Sequence, residues 1–281
     1  MPTVGLIPRL AKEEAAVLVR EMVRWLGFRI HVPLVEEEAG IEGVPSAPGS
    51  VIAAAADLLV VLGGDGTLLH AASLCNGREV PILGVNLGTL GFLTEVPRER
   101  AFPLLEMALA GKLTASRRLM LSVEVRHGED VLLSGVALND AVISKNALSR
   151  LAVLEVSVDG RPATTYEADG LIVATPTGST AYSLSAAGPI IDPNMDAILL
   201  TPICPHTLTQ RPLVLPADVP VRVRLASPGE MFVTLDGSHG RPLELGEEVW
   251  LRRAPQRTLI LRNPEVDQFA ILREKLRWGI R

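Results

Sequence analysis

Asp65 stands in the run Val60-Val61-Leu62-Gly63-Gly64-Asp65-Gly66-Thr67-Leu68-Leu69-His70. An apolar stretch of strand type ends, glycines surround one carboxylate, and a helix-type pattern follows. Glycine permits positive φ and close approach of the backbone to a ligand. A helix start aims free N–H groups and the positive end of its dipole at an anion. Gly63, Gly64 and Thr67 therefore read as a phosphate-binding turn at the carboxyl end of a parallel strand. A carboxylate in such a turn repels phosphate unless it does specific work. Asp65 can accept a hydroxyl proton, or hold a metal that bridges phosphates; the competing reading is a cap of the helix at Thr67. Neither GxxxxGK[ST] nor GxGxxG occurs, which excludes a P-loop NTPase and the standard dinucleotide fold.

Further clusters carry chemistry of the same kind. The turn Gly84-Val85-Asn86-Leu87-Gly88-Thr89-Leu90-Gly91-Phe92-Leu93 again runs a strand into small residues, as a second edge of one cleft or as a tight loop. In Leu138-Asn139-Asp140 an amide and a carboxylate at a strand end suit ribose hydroxyls or an adenine edge; an Asx turn is the alternative. The stretch from Tyr166 through Asp169 to Pro189 runs a strand into six Ser or Thr residues within 175–185. Such hydroxyls are neutral donors for phosphate or sugar. Tyr182, one of two tyrosines, can stack on a base or sit in the core.

Elements that position these residues follow from periodicity. Residues 4–7 read as a strand. Residues 11–26 read as a helix with apolar positions at Ala15, Val19, Met22, Val23 and Leu26, and Gly27 as its C-cap. A strand is expected over 28–32, a mobile acidic loop over 36–50, a buried strand over 57–62, a helix over 67–75, a strand over 82–85 and a helix over 98–109. This alternation predicts a doubly wound, mostly parallel α/β domain over 1–113. Residues 114–265 read as a β-rich, sandwich-like domain, interrupted by a helix over 179–187. A last helix over 266–281 is expected to return to the first domain.

Composition sets outer limits. The chain has 281 residues, 48% hydrophobic, with net charge −5. That length buries a sizeable core without disulfide or metal staples, and the acidic balance argues against a nucleic-acid partner. Two distant cysteines, Cys75 and Cys204, form no disulfide framework and no zinc motif. No secretory signal or membrane span is read from the sequence, so a cytoplasmic protein is expected.

In this order, GGDGT, GVNLGTLGFL, LND and DGLIVATPTGSTAYSLSAAGP resemble the NAD kinase family from about residue 58 to 262. The glycine–aspartate turn alone also resembles that of diacylglycerol and sphingosine kinases. The resemblance implies phosphoryl transfer from ATP, or inorganic polyphosphate, to the 2′-hydroxyl of the adenosine ribose of NAD, giving NADP. It implies Asp65 as proton acceptor, Gly66 against the dinucleotide, and Asn139 and Asp140 on ribose and base. Thr177, Thr180, Ala181, Tyr182, Ser183, Leu184 and Ser185 would line the adenosine pocket, with Asp169 nearby and His70 and Arg150 approaching the nucleotide. Glu167 stands where many bacterial relatives carry a basic residue, and Ser238 where relatives often have Gln. Mg²⁺ is expected on the donor phosphates rather than in a protein site. A homo-oligomer, dimer or tetramer, built through the β-rich domain is expected by the same analogy, with the active site between the domains. A lipid kinase would show an apolar acceptor cleft, and a non-catalytic NAD(P)-binding regulator would have no use for Asp65.

Overall fold

The computed structural model describes residues 1–10, 12–75, 77–145, 151–207 and 209–278. The chain divides into two compact units, Met1–Arg117 with Thr258–Arg281, and Arg118–Arg257. No helix among the described residues is long and apolar enough to cross a membrane.

In the first unit a parallel sheet has the order Ser46–Ala47, Val32–Glu36, Thr3–Pro8, Leu58–Gly63, Pro81–Asn86. Pro81 and Ile82 take a further parallel neighbour, Leu259–Ile260, from near the end of the chain. Leu58–Gly63 is buried along its whole length because helices cover both faces. On one face Val4, Leu6, Val60 and Leu62 pack with Leu18, Val19, Met22 and Leu26 of the helix Glu13–Phe28. On the other, Gly5 lies against Ile52 of the helix Gly49–Ala55, and Gly84 against Leu68 of the helix Asp65–Leu74. Chain order reverses between Thr3–Pro8 and Leu58–Gly63, so the first strand feeds a helix on one face and Leu58–Gly63 a helix on the other. This reversal is the topological switch point of a doubly wound sheet.

Local departures from expectation have physical causes. The first helix continues through Gly27 to Phe28, and Ile30 takes the left-handed turn at φ 61° instead. Phe28 and Ile30 are therefore exposed, at 86% and 65%, and the second strand begins only at Val32. Residues 36–50 are not loop throughout. They hold the buried Glu36, a 3-10 turn Glu37–Ala39, the strand Ser46–Ala47 and the start of the helix Gly49–Ala55.

The second unit is an antiparallel sandwich. One sheet has the order Leu213–Pro216, Ala197–Ile203, Gly170–Ala174, Asp140–Lys145, Met231–Leu235, His239–Leu243. The other joins Arg161–Ala168, Ala152–Val158 and Val221–Leu225 to the first part of Glu248–Leu261, with Ala115–His127 and Asp130–Ala137 beyond. Alternate residues point inward, as Leu119, Leu121, Val123 and Val125 do from one sheet and Ala141, Ile143, Leu171 and Val173 from the other. The helix expected over 179–187 is a 3-10 turn Thr177–Thr180 followed by one helical turn, Tyr182–Ser185.

Candidate active site

In the first unit Gly64 is the N-cap of the helix Asp65–Leu74, and Asp65 is that helix's first residue. The Asp65 carboxylate does not cap the helix; it reaches across to the second glycine turn. Its Oδ1 accepts from the amides of Leu93 and Thr94, both at 3.0 Å, and from Thr94 Oγ1 at 3.1 Å. Among the described residues its Oδ2 accepts from Phe92 N alone, at 2.8 Å. A carboxylate has about four lone-pair sites in two pairs, so Oδ2 keeps room for one more donor. Asn86 braces the same turn, donating to Thr89 O at 2.7 Å and to Thr94 Oγ1 at 3.0 Å. The two glycine turns are thus one structure, closed by Asp65.

Close approach, not positive φ, explains these glycines, for none of Gly63, Gly64, Gly66, Gly88 and Gly91 has φ in the left-handed region. A Cβ on Gly63 would lie 2.4 Å from Thr67 Oγ1, and one on Gly91 would lie 2.1 Å from Asp65 Oδ1. Gly64 and Gly66, by contrast, face open space, where a ligand can meet their backbone. His70, farther along the helix, donates from Nε2 to Glu36 Oε1 at 2.6 Å. That hydrogen bond to a buried carboxylate raises the imidazole pKa. The second oxygen of Glu36 is buried with no partner among the described residues.

In the second unit a cavity of about 370 Å³ is lined by Asn139, Asp140, Val142, Ser144, Ala181, Tyr182, Thr234, Asp236 and Gly237. Asp236 organises it. Its carboxylate accepts from the amides of Leu138 (2.8 Å), Asn139 (2.8 Å) and Asp140 (3.1 Å). Thr175 grips the same corner from the other side, its hydroxyl donating to Leu138 O at 2.6 Å. Gly178 is required there, since a Cβ would stand 2.1 Å from Asn139 O. Burial, and then the charge of Asp236, lift the Asp140 carboxyl to about 7. Burial raises Asp236 as well, against its three amide bonds.

The predicted residues therefore fall into distinct places. Asn139, Asp140, Ala181 and Tyr182 share one cavity, and Tyr182 is 46% exposed rather than in the core. Thr177 Oγ1 is buried without a partner among the described residues, while the Thr180 hydroxyl donates to Thr177 O at 3.2 Å. Ser183 Oγ is committed to Thr201 Oγ1 at 2.8 Å in the interior. Leu184 is half-buried and Ser185 exposed. Asp169 does not line the cavity; it pairs with Lys145 Nζ at 3.0 Å. Glu167 is exposed on the strand Arg161–Ala168. Ser238 turns back on His239 Nδ1 at 2.8 Å. Arg150 lies outside the described residues. Thr94, Glu36 and Asp236 were not singled out from sequence. Asp236-Gly237 after the strand Met231–Leu235 repeats the Asp65-Gly66 pattern, and that repetition was the available signal.

Family models match along most of the chain. One described as the ATP-NAD kinase N-terminal domain matches residues 4–113, and one described as the ATP-NAD kinase C-terminal domain matches 138–263. The chain is 50% identical over 266 residues to the NAD kinase of Geobacter metallireducens, covering 93% of each. It is 45% identical over 284 residues to that of Geotalea daltonii, covering all of both. Among solved structures, yeast NADH kinase complexed with NADH superposes with TM-score 0.92 at 28% identity, over 100% of this chain and 89% of the other. An NAD kinase from Archaeoglobus fulgidus in complex with ATP superposes with TM-score 0.78 at 23% identity, over 98% of each, a likeness of fold.

Proposed function

The chain belongs to the NAD kinase family, and we infer that it phosphorylates NAD to NADP with ATP by using Asp65 as the proton acceptor. The observation that carries the role of Asp65 is its lone under-used oxygen, Oδ2, beside the open backbone of Gly64 and Gly66. The 2′-oxygen of the adenosine ribose attacks the terminal phosphorus of the donor. The bond from that phosphorus to the bridging oxygen breaks, ADP leaves, and the hydroxyl proton passes to Asp65 Oδ2. The amides on Oδ1 hold the carboxylate in one orientation through the step.

The second unit supplies recognition in this reading. Asn139 and Asp140, fixed by Asp236, take the ribose and base, Tyr182 offers its exposed ring for stacking, and the unpartnered Thr177 hydroxyl provides a further hydrogen bond. Thr180, Ala181, Ser183, Leu184 and Ser185 shape the turn that presents them, and Asp169 with Glu167 stands at its margin. His70, held by Glu36, and Arg150 are assigned to approach the nucleotide from the two units.

Among the described residues no three His, Cys, Asp or Glu side chains gather into a metal site. A divalent ion would instead be carried on the donor's phosphates. Such an ion, Mg²⁺ in our proposal, neutralises charge on the donor's phosphates. Inorganic polyphosphate as alternative donor, a homo-oligomer formed through the β-rich unit, and a cytoplasmic location belong to the same proposal. The net charge of −5 supports the absence of a nucleic-acid partner. The direct test incubates the purified protein with NAD, Mg²⁺ and either ATP or polyphosphate and measures NADP. No product from any donor, with NAD still bound, would establish a regulator instead.

A further inference from the structure

A second cleft in the first unit, of about 190 Å³, opens beside the phosphate turn and is lined by Arg9, Lys12 and Arg20. Glu13 also lines it, against three cations. Among the described residues none of these three cations has a carboxylate partner. Six other arginines differ in this: Arg100, Arg117, Arg222, Arg224, Arg241 and Arg257 each sit on an acid.

Position adds to charge. Arg9 directly follows the strand Thr3–Pro8, and its amide continues the pairing by donating to Leu62 O at 2.8 Å. Its Cβ lies 3.1 Å from where a Cβ on Gly63 would stand, so the cleft and the glycine turn share a wall. These two segments follow the two strands at which the chain order reverses, and open α/β sheets bind ligands outside the carboxyl ends of the strands at that reversal. Lys12 is the N-cap of the helix Glu13–Phe28.

We propose that Arg9, Lys12 and Arg20 form a binding site for the phosphate chain of the phosphoryl donor, whether ATP's triphosphate or inorganic polyphosphate. The site rests on the kinase reading above and adds to it a place for the phosphates that are not transferred. Two guanidinium forks and one ammonium suit a chain of phosphates, each of which can be held bidentately or by a point charge. A polyanion bound there runs from the cleft to the glycine turn, so its terminal phosphate meets the backbone of Gly64 and Gly66.

The test compares the wild type with an Arg9→Gln/Lys12→Gln/Arg20→Gln variant. Two things are measured: steady-state kinetics with ATP and with polyphosphate, and calorimetric binding of inorganic tripolyphosphate, which needs no turnover. The expected result is a donor KM raised about tenfold or more for both donors, with the NAD KM within twofold and an unchanged melting temperature. Tripolyphosphate affinity should fall by a similar factor and lose part of its salt dependence. An effect confined to polyphosphate would overturn the shared site, as would donor KM and tripolyphosphate affinity equal to wild type. A wild type that makes no NADP yet binds tripolyphosphate through these three residues would refute the kinase reading and sustain the site.

Discussion

Replacing Asp65 by Asn removes one charge and little volume, yet the geometry predicts two separate losses. An amide has one accepting oxygen and a donating NH₂. The better orientation keeps the oxygen where Oδ1 accepts from Leu93, Thr94 N and Thr94 Oγ1. It then sets the NH₂ against the Phe92 N–H, which now donates to Oδ2 at 2.8 Å. One charge-assisted bond is lost outright, worth about 1.5–3 kcal/mol, and three others weaken to neutral bonds. The sum is about 3–5 kcal/mol, and at about 2–4 °C per kcal/mol the melting temperature falls by about 6–20 °C. Turnover falls separately, by about 10²–10⁴, because the proton acceptor is gone. Thermal melts and NADP formation, assayed well below both midpoints, distinguish the two. Thr94→Val provides the comparison. It deletes one donor to Oδ1 but keeps the carboxylate, so melting falls by a few degrees and turnover by less than tenfold. An Asp65→Asn protein that melts like wild type refutes the latch, and one that turns over like wild type refutes the base.

The Asp140 carboxyl, raised to about 7, makes stability depend on pH. The native state holds a proton that the unfolded chain releases from about pH 4 upward, so stability falls as pH rises from about 4 to about 7. Asp140→Asn should reduce that slope and gain up to about 4 kcal/mol at pH 8, read from urea midpoints, while weakening NAD binding; Asp236 retains part of the slope. Glu36→Gln removes the bond that raises His70, so its imidazole should titrate lower by NMR, and an unmoved titration would deny the pairing. Gly91→Ala should lower the melting temperature, since its Cβ meets Asp65 Oδ1 at 2.1 Å. Gly66→Ala, facing open space, should leave melting unchanged and impair turnover alone, and the reverse pattern would contradict the ligand-facing role.

Sequence periodicity carried the two architectures because burial is periodic. Leu58–Gly63 reads as a two-faced strand, and the helix positions Ala15, Val19, Met22 and Leu26 are buried as their spacing requires. Boundaries failed where a local signal was outweighed. Gly27 looks like a terminator, but the helix runs two residues beyond Leu26 and leaves Phe28 in solvent. The hydroxyl-rich stretch after Pro176 looks like a capped helix, but it forms two short turns, with the Thr175 hydroxyl spent on the distant Leu138 O and the Ser179 hydroxyl on Pro176 O. Asp65 was legible as a working carboxylate. Its grip on residues 92–94 was not, nor was that of Asp236 on 138–140. Both join amides to carboxylates far away in sequence, and no pattern within a window contains both partners.

The placement of Leu259–Ile260 beside Pro81–Ile82 has a consequence for synthesis. A ribosome delivers residues 1–117 first, but their sheet lacks that neighbour until residues 118–257 have also been made. At about 5–20 residues per second the wait is on the order of ten seconds. During it, part of Pro81–Asn86 presents unpaired amides and carbonyls, the feature that seeds edge-to-edge association. The same strand ends at Asn86, which braces the turn held by Asp65. A nascent or prematurely terminated chain thus carries its catalytic turn on an unfinished sheet, and kinase activity becomes a property of chains translated nearly to their end.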